Sequence, residues 1–219
     1  MADYLKGPFF IFSHSLNFGS VDWIGNFRSG FLLNISNSFT YNFFYSDNGR
    51  AAWQGDLSVS ANGHFIIGGF MGIATRLFYR HWFFTDTGLK QGYYDEAGDV
   101  LRGVLDTNVT ANSMLSLNLD ISFKVLEFRP SKWFSNSNFW RVFDFDLHTG
   151  PFFDMALYNN PMNKDSFSFR NTLLTAGLEI VIFPLRWRSL LLRISYGHNF
   201  SLTEKNSLNE LYIGTELHF

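Results

Sequence analysis

The chain has 219 residues, of which 27 are Phe, 9 Tyr and 6 Trp, yet only 16% are charged and the net charge is -2. That balance leaves no basic footprint for nucleic acid, and no window approaches 18 consecutive apolar residues, which excludes a transmembrane helix. Aromatic abundance at a mean hydropathy of -0.03 suits strands that keep one face wet.

Met1 to Lys6 carries no basic n-region or apolar core of a signal peptide. The expectation is therefore a fragment, a mature form or a misplaced start of an envelope protein, for which the absence of Cys is also suitable. Strand-like sequence opens at Pro8 to Leu16. Leu33, Ile35, Phe39, Tyr41 and Phe43 then oppose Asn34, Ser36, Ser38, Thr40 and Asn42, a period of two over about ten residues. Leu57, Val59 and Ala61 oppose Asp56, Ser58, Ser60 and Asn62, and the Gly68-Gly69 turn leads into a strand from Met71 to Phe83. The cleanest alternation follows, with Leu115, Leu117, Leu119, Ile121 and Phe123 against Ser116, Asn118, Asp120, Ser122 and Lys124.

Phe143, Phe145, Leu147, Phe153, Met155 and Leu157 oppose Asp144, Asp146, His148, Gly150 and Asp154. Leu174, Leu178, Ile180 and Ile182 oppose Thr175, Gly177 and Glu179, and Leu190, Leu192, Ile194 and Tyr196 oppose Arg193, Ser195 and Gly197. The last strand sets Leu211, Ile213, Thr215, Leu217 and Phe219 against Glu210, Tyr212, Gly214, Glu216 and His218. About nine strands result, with no helical period competing. Asp120, Asp154, Glu179, Arg193 and Arg76 on the polar faces are too much charge for a dry sandwich core. The fold expected is all-β, an antiparallel transmembrane β-barrel domain over residues 1–219, ending on the aromatic C-terminus common in outer-membrane barrels. With Phe219 at the periplasmic rim, the long connection from Thr85 to Ala111 falls on the extracellular side, where such barrels keep their long loops.

Two motifs carry a family resemblance. Asp99-Val100-Leu101-Arg102-Gly103-Val104 resembles the Val-Arg-Gly-aromatic signature of the BamA-like surface antigens, the barrel-assembly and two-partner-secretion superfamily. Gly150-Pro151-Phe152-Phe153-Asp154-Met155-Ala156 resembles that family's Phe-x-Asp-x-Gly pattern, and Asn118 to Phe123 its preceding strand. The chain departs from the patterns at Val104, where the family has an aromatic, and at Ala156, where it has Gly. The resemblance covers strands eight to sixteen of a sixteen-stranded barrel. It implies a C-terminal portion lacking the periplasmic POTRA modules, completed by an N-terminal half or a second copy. It also implies a lumen-folded loop in which Arg102, beside Gly103, is clamped by Asp120 and Asp154, because a planar guanidinium inside a barrel needs carboxylate partners.

A rival reading places a lipid-modifying site at Ser13-His14-Ser15, since barrel hydrolases use Ser with a His base. Adjacent residues of a strand point to opposite faces, which defeats that hydrogen bond. His14, His64, His81, His148, His198 and His218 lack metal-ligand spacing. The resemblance implies a non-enzymatic, cofactor-free function: assembly or secretion of client polypeptides at the outer membrane of a Gram-negative-type bacterium, in contact with its lipid. By analogy with the family, Leu211, Ile213, Leu217 and Phe219 form the seam strand that templates a client strand. The alternative is a passive porin or adhesin-type barrel.

Overall fold

The computed structural model describes residues 8–43, 53–84, 93–96, 100–104, 108–134, 139–159, 167, 172–186, 191–200 and 209–215. It is all-β. The strands are β1 (Phe9–Ile24), β2 (Phe27–Asn42), β3 (Trp53–Ile67), β4 (Met71–Phe84), β5 (Tyr93–Glu96), β6 (Asn108–Ala111), β7 (Ser113–Phe128), β8 (Phe145–Asn159), β9 (Thr172–Pro184), β10 (Leu192–Asn199) and β11 (Asn209–Gly214). Nine of them form one sheet in the order β1-β2-β3-β4-β7-β8-β9-β10-β11, and β5 pairs with β6 as a separate hairpin. Every pairing in both sheets is antiparallel.

Three expectations change. The opening strand does not stop near Leu16 but runs on to Ile24, where Gly25 and Asn26 turn the chain into β2. The connection from Thr85 to Ala111 is not bare loop, since it holds the β5–β6 hairpin. The connection between β7 and β8 includes a helical turn, α1 (Pro130–Trp133), started by a Pro at its first position, where the missing N–H costs nothing.

Register divides the sheet into two faces of opposite character. Leu32, Asn62, Arg76, Asn118, Asp154, Thr175 and Asn199 lie side by side across seven strands. One residue along, Leu33, Ala61, Leu77, Leu117, Met155 and Leu174 form the matching row on the other face. The polar row is the enclosed one: Asn118, Asp154 and Thr175 are wholly buried, while Phe10, Phe12, Phe18, Phe65, Leu178 and Ile213 stand exposed. Water-soluble domains do the reverse, because burying polar groups costs free energy unless each finds a partner.

The sheet curves around this polar face. In a flat sheet six strand spacings of roughly 4.8 Å would hold β1 and β9 about 29 Å apart, beyond the reach of two side chains. Yet the Trp23 ring of β1 meets the Phe183 ring of β9 at 6.2 Å between centroids. Asn26, in the turn after β1, donates a hydrogen bond of 2.7 Å to Asp146 of β8, and Phe27 packs on His148 at 4.6 Å. Gly72 leaves the space that Phe27 fills, since a Cβ there would lie 2.7 Å from its ring. Asp146 is also held by Arg129 and Lys124, which fixes the turn end of β8. Among the described residues β1 pairs only with β2, and β11 only with β10.

Candidate functional site

Residues 100–104, between the two strands of the β5–β6 hairpin, are laid against the polar face of the main sheet. Their apolar members drive the docking. Val100, Leu101 and Val104 are buried in one cluster with Val109, Ala111, Met114, Ala156, Tyr158 and Leu173, and Phe78 packs on its margin. Both departures from the family patterns, Val104 and Ala156, sit in this cluster, exposed by only 3% and 0%. Asn118 of β7 donates a hydrogen bond of 2.8 Å from Nδ2 to the Val100 carbonyl, anchoring the loop backbone.

Gly103 lets the loop lie this close. Its requirement is conformational, since it has φ +82°, in the left-handed region, while a Cβ on it would make only ordinary contact with the Gly197 backbone at 3.5 Å. A Cβ on Gly197 of β10 would in turn come within 3.0 Å of the Gly103 Cα. Gly103→Ala is therefore expected to cost about 1–2 kcal/mol from backbone conformation alone. Protease accessibility of the loop reads this out: cleavage near residue 102 should rise in the variant, and unchanged protection would show that the loop tolerates the strain.

The cluster's polar centre is Arg102, which is 5% exposed. Its Nη2 lies 2.7 Å from Asp154 Oδ1 and its Nε 2.9 Å from Asp154 Oδ2, a two-pronged pairing that matches the planar fork. The Arg102 backbone N–H donates to the same Oδ2 at 2.9 Å. Nη1 reaches Asp120 Oδ1 at 2.5 Å and Glu179 Oε2 at 3.4 Å. The guanidinium carbon stands 3.9 Å from the centre of the Phe152 ring, a stacked cation–π contact. Burial alone would lower the Arg102 pKa. The hydrogen bond to Asp154 and the charges of Asp120, Asp154 and Glu179 outweigh it and raise the pKa above the ordinary arginine value.

The clamp is supported from behind. Ser195 of β10 donates to Glu179 Oε2 at 3.0 Å, and Arg193 approaches the same oxygen at 3.9 Å while stacking on Tyr212 at 4.6 Å. Phe152 has room beneath the guanidinium because residue 177, opposite it on β9, is Gly; a Cβ there would lie 2.7 Å from the Phe152 ring. No protein-family model, curated protein or solved structure matches this chain. The site is thus read from its own geometry.

Of the residues singled out in the sequence, the structure brings Arg102, Gly103, Asp120 and Asp154 into one cluster. Leu211 and Ile213 stand on the apolar face of β11, each 63% exposed. Leu217 and Phe219 lie outside the described residues. On β1 the ring of His14 packs near Phe12 at 5.6 Å, whereas Ser15 and Ser13 pair with Ser36 and Ser38 of β2. Three members of the cluster were not assigned to it from sequence: Glu179, Phe152 and Asn118. The signal for Phe152 was present, since it lies two residues before Asp154 and so on the same face. Among the described residues no group of three His, Cys, Asp or Glu is placed to hold a metal ion. The arrangement fastens a loop to the inner face of a sheet, and every charged partner in it is engaged in that fastening.

Proposed function

We propose that this chain is part of an outer-membrane β-barrel of a Gram-negative-type bacterium, working without chemistry or cofactor of its own in the insertion or secretion of other polypeptides. Its apolar face meets lipid, and its clients are outer-membrane or secreted chains. The observation that carries the reading is the loop of residues 100–104 riveted to the polar face through Arg102, Asp120 and Asp154, the arrangement implied by the resemblance to BamA-like proteins. The inverted sheet supports the membrane part. Only in lipid is a polar interior under an apolar exterior the stable arrangement, and strands must then satisfy all backbone groups among themselves.

A loop docked in this way also obstructs the space inside the sheet, which favours an assembly role over passive diffusion of solutes. The edge of β11, with Leu211 and Ile213 on its apolar face, is the place for a client strand to add by main-chain hydrogen bonding. Photo-crosslinkers at Leu211 and Ile213 in vesicle-reconstituted protein, presented with an unfolded outer-membrane client, should capture that client. Reconstituted chain that captures none, yet conducts ions across the vesicle wall, would support the passive barrel instead.

A further inference from the structure

Beyond Gly19 the hairpin of β1 and β2 parts from β3. Gly19 of β1 and Gly30 of β2, diagonal to each other across the pair, have φ +93° and +129°. A Cβ on Gly19 would lie 2.2 Å from the Phe31 carbonyl oxygen, and one on Gly30 would lie 2.3 Å from that of Ser20. Any larger residue would therefore push the two strands apart at this level. The β2–β3 ladder ends at the same place. It runs from Tyr41 opposite Trp53 down to Gly30 opposite His64, while β3 continues beside β4 as far as Ile67. The β1–β2 ladder, in contrast, passes unbroken through the bend to Ile24 opposite Phe27. Residues 20–29 are thus a two-stranded tip joined to the sheet through one pair of glycines.

The tip lies across the polar face, on β8 and β9. Asn26 donates to Asp146, Phe27 covers His148, which is left 1% exposed, and Trp23 meets Phe183. Releasing these contacts strands no charge, because Asp146 keeps Arg129 and Lys124. It also breaks no β2–β3 pairing, since that ladder stops at Gly30. A space of about 90 Å³ is bordered by Trp23 and Phe27 of the tip, by His148 and Val181, and by Asp120 and Glu179 of the Arg102 clamp. We propose that residues 20–29 are a gate hinged at Gly19 and Gly30 and latched by Asn26 and Phe27. It is shut here against β8 and β9, and it swings away from them to open the space beneath the clamp. The movement needs only the curved sheet, without lipid or client, so its failure and that of the membrane reading are separate results.

Spin-label distances in the full chain, which has no Cys of its own, test the gate. Ile24→Cys with Leu178→Cys reports on the tip, and Phe18→Cys with Leu178→Cys reports on β1 ahead of the hinge; all three sites are exposed. Adding Asn26→Ser and Phe27→Leu to loosen the latch should give the tip pair a second, longer distance and leave the other pair unchanged. Val181→Cys, 5% exposed and bordering the space beneath the clamp, gives an independent measurement. Its reaction with a small maleimide should be slow with the latch intact and roughly tenfold faster in the loosened chain, as loss of a hydrogen bond to a charged group predicts. Because the double change could prevent folding, Asn26→Ser alone, in the turn between the strands, is read in the same two ways and should move both in the same direction. An unchanged tip distance in the loosened chain, an equal change in both spin pairs, or unchanged Val181→Cys reactivity would overturn the proposal.

Discussion

Arg102→Met is expected to destabilise the folded chain by about 3–5 kcal/mol, because it keeps the side-chain length but leaves Asp120, Asp154 and Glu179 facing one another in an enclosed space without their cation. Urea unfolding in lipid vesicles measures it. Arg102→Lys restores the charge but not the fork that spans both oxygens of Asp154, so its loss should be intermediate. Adding Asp154→Asn to Arg102→Met should recover part of the loss, since one of the stranded acids is then neutral, and the non-additivity measures the coupling. A change below about 1 kcal/mol for Arg102→Met, the range of exposed ion pairs, would mean that the acids are hydrated without help and that the clamp does not hold the loop.

The second large effect concerns the apolar face. Leu178 and Ile180 on β9 are already 61% and 40% exposed. In water, an arginine at so exposed a position away from any special feature should change stability by no more than about 0.5 kcal/mol. In a bilayer the same change near the midplane should cost about 2–4 kcal/mol. Leu178→Arg and Ile180→Arg therefore separate the two environments by the size of the loss, read by urea unfolding in vesicles. Near-neutral behaviour at both positions would rule out lipid on this face and with it the membrane reading.

Legibility in the sequence follows environment. On β7 the alternation from Leu115 to Lys124 is clean because one face packs among polar groups and the other does not, so every second residue answers to a different surroundings. The sequence marks β1 only to Leu16, and 15 of the strand's 16 residues are exposed. With nothing enclosing either face, Phe9, Phe10, Ile11 and Phe12 show no alternation, and the strand is recognisable only from its partners in β2. The β5–β6 hairpin escaped notice for another reason: its two strands have four residues each and no tight-turn signal, and the segment between them is positioned by the Arg102 cluster. In that cluster Asp120 of β7 and Asp154 of β8 are legible through their motifs. Glu179 was legible as an inward charge, but its meeting with Arg102 depends on the β8–β9 register, which sets Gly150 against Glu179 and Phe152 against Gly177. Strand register is a tertiary quantity, fixed by what the faces pack against, and no residue of β9 announces it.

The strand count of the main sheet has a geometric consequence. In an antiparallel meander direction reverses at every step, so with nine strands the two rims of the sheet, β1 and β11, point the same way. Joining them directly would create a single parallel seam, with slanted hydrogen bonds unlike all the others. Keeping every neighbour antiparallel instead requires an odd number of inserted strands. The inserted strands must also start in the opposite direction to the rim: a second copy in the same orientation brings nine, an odd number, but both its rim strands run the same way as β1 and β11, so the two copies meet through two parallel seams. The main-chain direction at the rims thus distinguishes the ways this wall can be closed, without reference to any side chain.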